Sequence, residues 1–269
     1  MTTILKIRRA FADLSVGQVH YAECGGGDGP PVLLLHQSPR SWAEYRAVLP
    51  LVGIHRRAIA MDTAGFGDSE DGGVPASIEH WAAVALELLD ALGIAQVDVV
   101  GHHTGGVVAV ELAALAGARL RSLVLSSSPF TDEAFRRARV GKPVVDQVAP
   151  STDGTHLAAL WQQRQGFYPD GRPELLEAFV LDALKVANPE EGHHAVAAYR
   201  METRIGLVTQ PVLIIRATAD PFASPHAVEL QHQLPQARIV DIEGGMVPLP
   251  DQMPEAFARV VTEFLGTLG

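Results

Sequence analysis

The ten residues VDVVGHHTGG at 97–106, followed by the helix-forming run 107–116, constrain this 269-residue chain more than any other stretch. An apolar burst halts at Gly101, a short polar stretch and a glycine pair follow, and Ala, Leu, Val and Glu then take over. That order reads as strand, sharp turn, helix. Gly101, His102, His103, Thr104 and Gly105 fit the spacing G-x-S-x-G, in which small residues two places either side of the apex let a strained turn pack between its strand and its helix. The apex residue is His103 rather than Ser, Cys or Asp, so chemistry at this turn has to use an imidazole.

The rest of the chain supplies a sheet for that turn. Apolar runs at 31–35, 58–61, 97–100, 123–125, 212–215 and 239–242 are short and continuous, as strands buried on both faces require. Helical periodicity separates them at 42–52, 78–92, 106–116, 225–234 and 254–268, the last two opened by Pro225 and Pro254, which suit a first helical turn. Strands alternating with helices of this length imply crossovers and a mainly parallel sheet. Alternation at 5–9 and 17–23 predicts two antiparallel strands ahead of it, cut off by the loop CGGGDGP at 24–30. Residues 130–207 differ: helical segments are expected at 155–165, 173–187 and 192–202, with no strand. A helical insertion after the sixth strand is expected to cover the carboxyl edge of the sheet, where open α/β sheets bind ligands. The expected organisation is therefore a core in two parts, 1–129 and 208–269, with a cap at 130–207.

Composition narrows the partners. A net charge of −10 argues against nucleic acid, because phosphate binding needs a positive surface. No apolar run has the length of a membrane span, and residues 1–9 hold no apolar segment of signal-peptide length, so a cytoplasmic monomer or homodimer is expected. The single Cys24 excludes an intramolecular disulfide and a cysteine-rich metal site.

Four segments in order resemble the α/β-hydrolase superfamily, in its lid-bearing branch of epoxide hydrolases, haloalkane dehalogenases, carbon–carbon bond hydrolases and small esterases. LLLHQSPRSW at 33–42 looks like the family's H-G-x-P oxyanion loop, and MDTAGFGDS at 61–69 like its D-x-x-G-x-G-x-S turn. The other two are the nucleophile elbow at 101–105 and the strand end LIIRATADP at 213–221. The resemblance implies an α/β-hydrolase fold, with an eight-stranded, mainly parallel sheet, flanking helices and a helical cap. It also implies that Asp220 is the triad acid and that Ser38 and Thr104 present the backbone N–H groups of the oxyanion hole. Gln37 replaces the usual glycine beside Ser38, where it either narrows the hole or adds a donor. The family's triad histidine has no counterpart in EGGMVPLPDQ at 243–252; Met246 is expected in the vacated place, and a methionine cannot move protons.

The two departures are expected to be linked. An imidazole at 103 extends farther than a serine hydroxyl, toward the volume the missing histidine would fill, and so reaches Asp220. A relocated His103–Asp220 dyad would make His103 a general base, or a nucleophile forming an acyl-imidazole, acting on a small activated ester, lactone or carbonyl compound without cofactor. Cofactor-free lyase or carbon–carbon cleaving chemistry is the alternative, and a catalytically inactive fold that binds a small ligand or partner is another. Convergence of His36, His102, His103 and Asp220 on a metal is a further possibility, set against no metal at all. His36, Gln37, Trp42, His102, Trp161, Tyr168 and Met246 are expected to contact substrate, with the aromatics suggesting an apolar or aromatic small molecule. His193 and His194 are expected to be surface residues of a cap helix rather than ligands.

Overall fold

The computed structural model describes residues 5–27, 29–142 and 145–268. Asp28 in the expected loop, and residues 1–4, 143, 144 and 269 of the expected domains, lie outside that description. Among the described residues eight strands form one sheet in the order β1-β2-β4-β3-β5-β6-β7-β8. They are β1 Arg8–Leu14, β2 Gly17–Cys24, β3 Val32–Leu35, β4 Ala58–Met61, β5 Val97–His102, β6 Leu120–Ser126, β7 Val212–Ala217 and β8 Arg238–Ile242. β1 and β2 are antiparallel to their neighbours and the remaining pairs are parallel. The central strands are buried at every position, which is why their sequences show no polar alternation. One apolar core lies on each face of the sheet.

The first strand starts and ends later than expected from 5–9. Ala10, Ala12 and Leu14 continue the alternation and pack on the core, and pairing runs from Arg8 opposite Glu23 to Leu14 opposite Gly17. The helix expected over 42–52 is two pieces, a 3-10 turn at Trp42–Tyr45 and α1 at Val48–Gly53. Pro50 explains the break, since a residue without an N–H fits a first turn and not the middle of a helix. The core helices α2 Ile78–Ala91 and α3 Thr104–Ala116 follow the sequence pattern.

Between β6 and β7 lie α4 Glu133–Arg139, α5 Thr155–Gln165, α6 Pro173–Lys185 and α7 Glu191–Ala198. α4 was not foreseen; its signal is Asp132, whose side chain accepts the N–H of Phe135 at 2.7 Å as an N-cap. The segment is rooted at both ends in the main core, through Phe130 and through Val196, Tyr199, Met201 and Ile205. Its middle has a small core of its own around Leu160, Tyr168, Leu175, Leu176 and Phe179. After β7 come α8 His226–Gln233, α9 Leu249–Gln252 and α10 Pro254–Gly266. No described helix is long and apolar enough to cross a membrane.

Candidate active site

The turn between β5 and α3 holds His103 at φ 45° and ψ −113°, a conformation unusual for any residue with a Cβ. Holding one residue there costs on the order of 1–3 kcal/mol, and the neighbours fix it. The His103 N–H donates to the Ser126 carbonyl at 2.9 Å, and its own carbonyl accepts from Gly106 N–H at 2.9 Å. The flanking glycines are steric necessities. A Cβ on Gly101 would come 2.2 Å from the Gly105 carbonyl oxygen, and one on Gly105 would come 2.0 Å from the Leu35 carbonyl oxygen.

The apex imidazole reaches the acid at the end of β7. His103 Nε2 lies 2.7 Å from Asp220 Oδ2. The contact is close but oblique rather than a straight hydrogen bond, and neither atom has another partner among the described residues. Asp220 also accepts the N–H groups of Phe222 (2.9 Å) and Ala223 (3.2 Å) on Oδ1. Burial pushes this carboxyl up, but His103 and the Phe222 N–H outweigh it, and the net result is a pKa of about 2. Asp220 is thus ionised at neutral pH. His103 Nδ1 has no hydrogen-bond partner among the described residues, and the ring forms part of the wall of an inner pocket of about 100 Å³.

Ser38 and Thr104 line the same pocket. Neither backbone N–H finds an acceptor among the described residues, and Thr104 is the first residue of α3, where unpaired N–H groups and the helix dipole favour negative charge. Gln37 lines the pocket too, but its side-chain amide donates to Glu44 Oε1 at 2.5 Å, and its N–H donates to Glu44 Oε2 at 3.0 Å. It therefore anchors the loop and adds no donor to the pocket. Beside it, buried Arg40 joins the loop to α6 through Asp182 (2.8 Å) and to α9 through Asp251 (2.8 Å).

Glu44 is a residue that sequence reasoning missed. Burial raises its carboxyl to about 7; Arg40 and the two Gln37 donors oppose that rise, while Asp251 adds to it. The folded chain then binds this proton between pH 4.5 and 7, where the unfolded chain has released it. Stability from this group is complete at the acid end of that window and is lost as pH rises through it. Denaturant unfolding should show the wild type losing on the order of 2 kcal/mol relative to Glu44→Gln between pH 5 and pH 8. Parallel pH curves for the two proteins would remove Glu44 as the source.

Several expected contacts lie elsewhere. His102 is fully buried behind His103: Nε2 donates to the Val247 carbonyl at 2.9 Å and Nδ1 accepts from Ser126 Oγ at 3.0 Å. Burial, then the neighbouring His103 ring, lowers its pKa to about 3, so it stays neutral. His36 is engaged at both nitrogens, by the Gln37 carbonyl (2.8 Å) and the Thr63 N–H (3.0 Å). Neither imidazole can therefore converge with His103 and Asp220 on a metal. Met246 does not reach the pocket; because His102 holds the Val247 carbonyl, the Val247 side chain forms the wall beside His103 instead. Trp42 packs under Arg46 and Arg9 near His20, away from the pocket. Trp161 and Tyr168 belong to the small cap core. The apolar wall is instead Pro129, Val145, Val196, Phe222 and Val247.

The polar wall was also unforeseen. Arg139, Arg164 and His193 face the inner pocket, and no carboxylate lines it among the described residues. His193 is thus at the site and not on the outer surface. Its sequence signal is Gly192, an isolated glycine in a helical stretch, which marks close packing. A Cβ there would come 2.0 Å from Ser38 Oγ. Arg139, Val145, His193 and Phe222 also border an outer cleft of about 780 Å³ that opens beside the inner pocket.

A profile of the alpha/beta hydrolase fold family matches residues 30–250. The chain is 25% identical to haloalkane dehalogenase 2 of Mycobacterium tuberculosis over 94% of its own length and 93% of that protein. It is 40% identical over 163 residues to 2-hydroxymuconate semialdehyde hydrolase of a Pseudomonas species, covering 58% of this chain and 50% of that one. The match to 2-hydroxy-6-oxo-2,4-heptadienoate hydrolase of Pseudomonas putida, also at 40%, spans 37% of each chain. The crystal structure of the enol-lactonase from Burkholderia xenovorans superposes with a TM-score of 0.77 at 23% identity, over 96% of this chain and all of that one. The profile covers most of the chain, and the chain therefore belongs to the alpha/beta hydrolase fold family.

Proposed function

We propose that this protein is a hydrolase in which His103, oriented by Asp220, acts as a general base on a water molecule that attacks a small activated ester, lactone or related carbonyl compound. The observation that carries this reading is the 2.7 Å contact between His103 Nε2 and an ionised Asp220, which leaves Nδ1 open to the pocket. A proton taken from water at Nδ1 creates an imidazolium, and the carboxylate beside Nε2 stabilises it. Negative charge developing on the substrate oxygen is met by the N–H groups of Ser38 and Thr104, at the N-terminus of α3. The base role is preferred over direct attack by the ring because His103 Nδ1 carries no hydrogen bond among the described residues and can take a proton from water, whereas an attacking ring would need a second base, and the other imidazole of the wall, His193, has Nε2 committed to Asp146. The partial similarity to hydrolases of muconate- and heptadienoate-type compounds supports a small carbonyl-containing substrate.

Retention of a strained conformation at position 103 argues against a fold that only binds ligands, since such strain persists where a function uses it. The test is turnover of a panel of phenyl esters and lactones. His103→Gln should lower kcat/KM by about 10²- to 10⁴-fold. Equal low rates in the two proteins would favour the ligand-binding reading, and equal high rates would reject His103 as the base.

A further inference from the structure

A second imidazole–carboxylate pair stands on the cap side of the same pocket. His193 Nε2 lies 2.5 Å from Asp146 Oδ2, and Asp146 is held in turn by Arg164 Nε on Oδ1 at 2.5 Å. The Asp146 side chain is fully buried. Burial pushes its carboxyl up, yet the His193 hydrogen bond and the Arg164 charge overcome this and keep it ionised. The charged groups around His193 are thus Asp146, Arg164 from α5, Glu190 at the start of α7, and Arg139 from α4, with His103 facing from the core. Glu190 accepts the backbone N–H groups of Val145 and Asp146 and so fixes the loop that carries Asp146. His193, Asp146 and Glu190 lie close enough to share a cation, but Arg164 and these N–H groups already occupy the two carboxylates.

The position of His193 is built rather than incidental. Gly192 lets the first turn of α7 pack directly on Ser38, where any side chain would collide, and this brings the next residue to the pocket wall. With Nε2 donating to Asp146, Nδ1 is the nitrogen left to act on a substrate, and no hydrogen bond engages it among the described residues.

We propose, building on the His103 reading above, that His193 is a second catalytic residue, the proton donor to the leaving group. Water oxygen forms the new bond to the carbonyl carbon as its proton passes to His103 Nδ1, and the carbonyl electron pair moves onto the oxygen facing Ser38 and Thr104. On collapse the bond to the leaving oxygen breaks, its electron pair stays on that oxygen, and His193 Nδ1 delivers a proton to it. Acid and alcohol leave; His103 returns its proton to solvent and His193 regains one, so one water is consumed per turnover.

The role predicts dependence on the leaving group, which a purely structural residue would not show. p-Nitrophenolate departs without protonation, whereas phenolate and alkoxide gain from it. His193→Gln should lower kcat/KM for phenyl acetate and an ethyl ester by about 100-fold while changing p-nitrophenyl acetate by less than about threefold. The retained p-nitrophenyl rate also reports that the variant is folded. An equal loss on both classes of ester, or no loss on either, would overturn the assignment while leaving His103 as base. If the wild type hydrolyses none of these esters, or hydrolyses them independently of His103, the underlying reading fails and the assignment falls with it.

Discussion

Restoring a serine at position 103 should abolish hydrolysis, with kcat/KM falling to or below that of His103→Gln, about 10²- to 10⁴-fold under the wild type. A hydroxyl at the apex needs a neighbouring base, and the two imidazoles nearby are both committed: His193, across the pocket, is paired with Asp146 on the cap side. His102 is the nearest imidazole, its ring 4.7 Å from that of His103, but both its nitrogens are bonded within the core and its low pKa makes it a poor proton acceptor. Val247 fills the wall beside the apex, and a serine side chain is too short to inherit the contact that His103 Nε2 makes with Asp220. Steady-state assays on the ester panel check this. A His103→Ser variant as active as the wild type would show that a base other than His103 serves the pocket, and the dyad would have to be abandoned.

Gly105→Ala should produce the largest loss of stability. The added methyl carbon would lie 2.0 Å from the Leu35 carbonyl oxygen and 2.8 Å from that of His36, and both are backbone atoms, of β3 and of the loop that follows it. No rotamer change relieves such a clash, so α3 must move away from β3, at an expected cost above about 3 kcal/mol. Gly266→Ala is the matched control: a Cβ there meets nothing within 4 Å, and it should be neutral or slightly stabilising. Thermal unfolding of the two variants separates them, and similar midpoints would disprove the packing argument.

The elbow was legible because its constraint is local: two glycines at fixed spacing have one steric purpose, and the φ of His103 follows from it. The reach from His103 to Asp220 was legible because β5 and β7 end on the same edge of a parallel sheet, so strand order alone brings them together. The pocket wall was not legible. Trp161, Tyr168 and Trp42 look like lining from composition, but which side of a cap helix faces the sheet is set by docking, and the structure turns Arg164 inward from the same helix that packs Trp161 on the cap's own core. Met246 and Val247 are adjacent, and a hydrogen bond from buried His102 decides between them. The pairing of Glu44 with Gln37 combines a core carboxylate with a loop amide, and nothing in their spacing announces it.

Tyr199 and Arg204 both bind Glu111, which sits on α3, through a 2.7 Å hydroxyl contact and a two-point guanidinium contact at 2.8 and 2.9 Å. The returning end of the cap is therefore bolted to the very helix whose first turn presents Thr104 beside His103. Arg40 fastens α6 to the loop after β3 in a similar way, through Asp182, so the segment is clamped to the sheet's own elements at two separate places. The imidazole at 193 falls between those two clamps in the chain, so its place on the pocket wall is inherited from the scaffold below as well as from the cap.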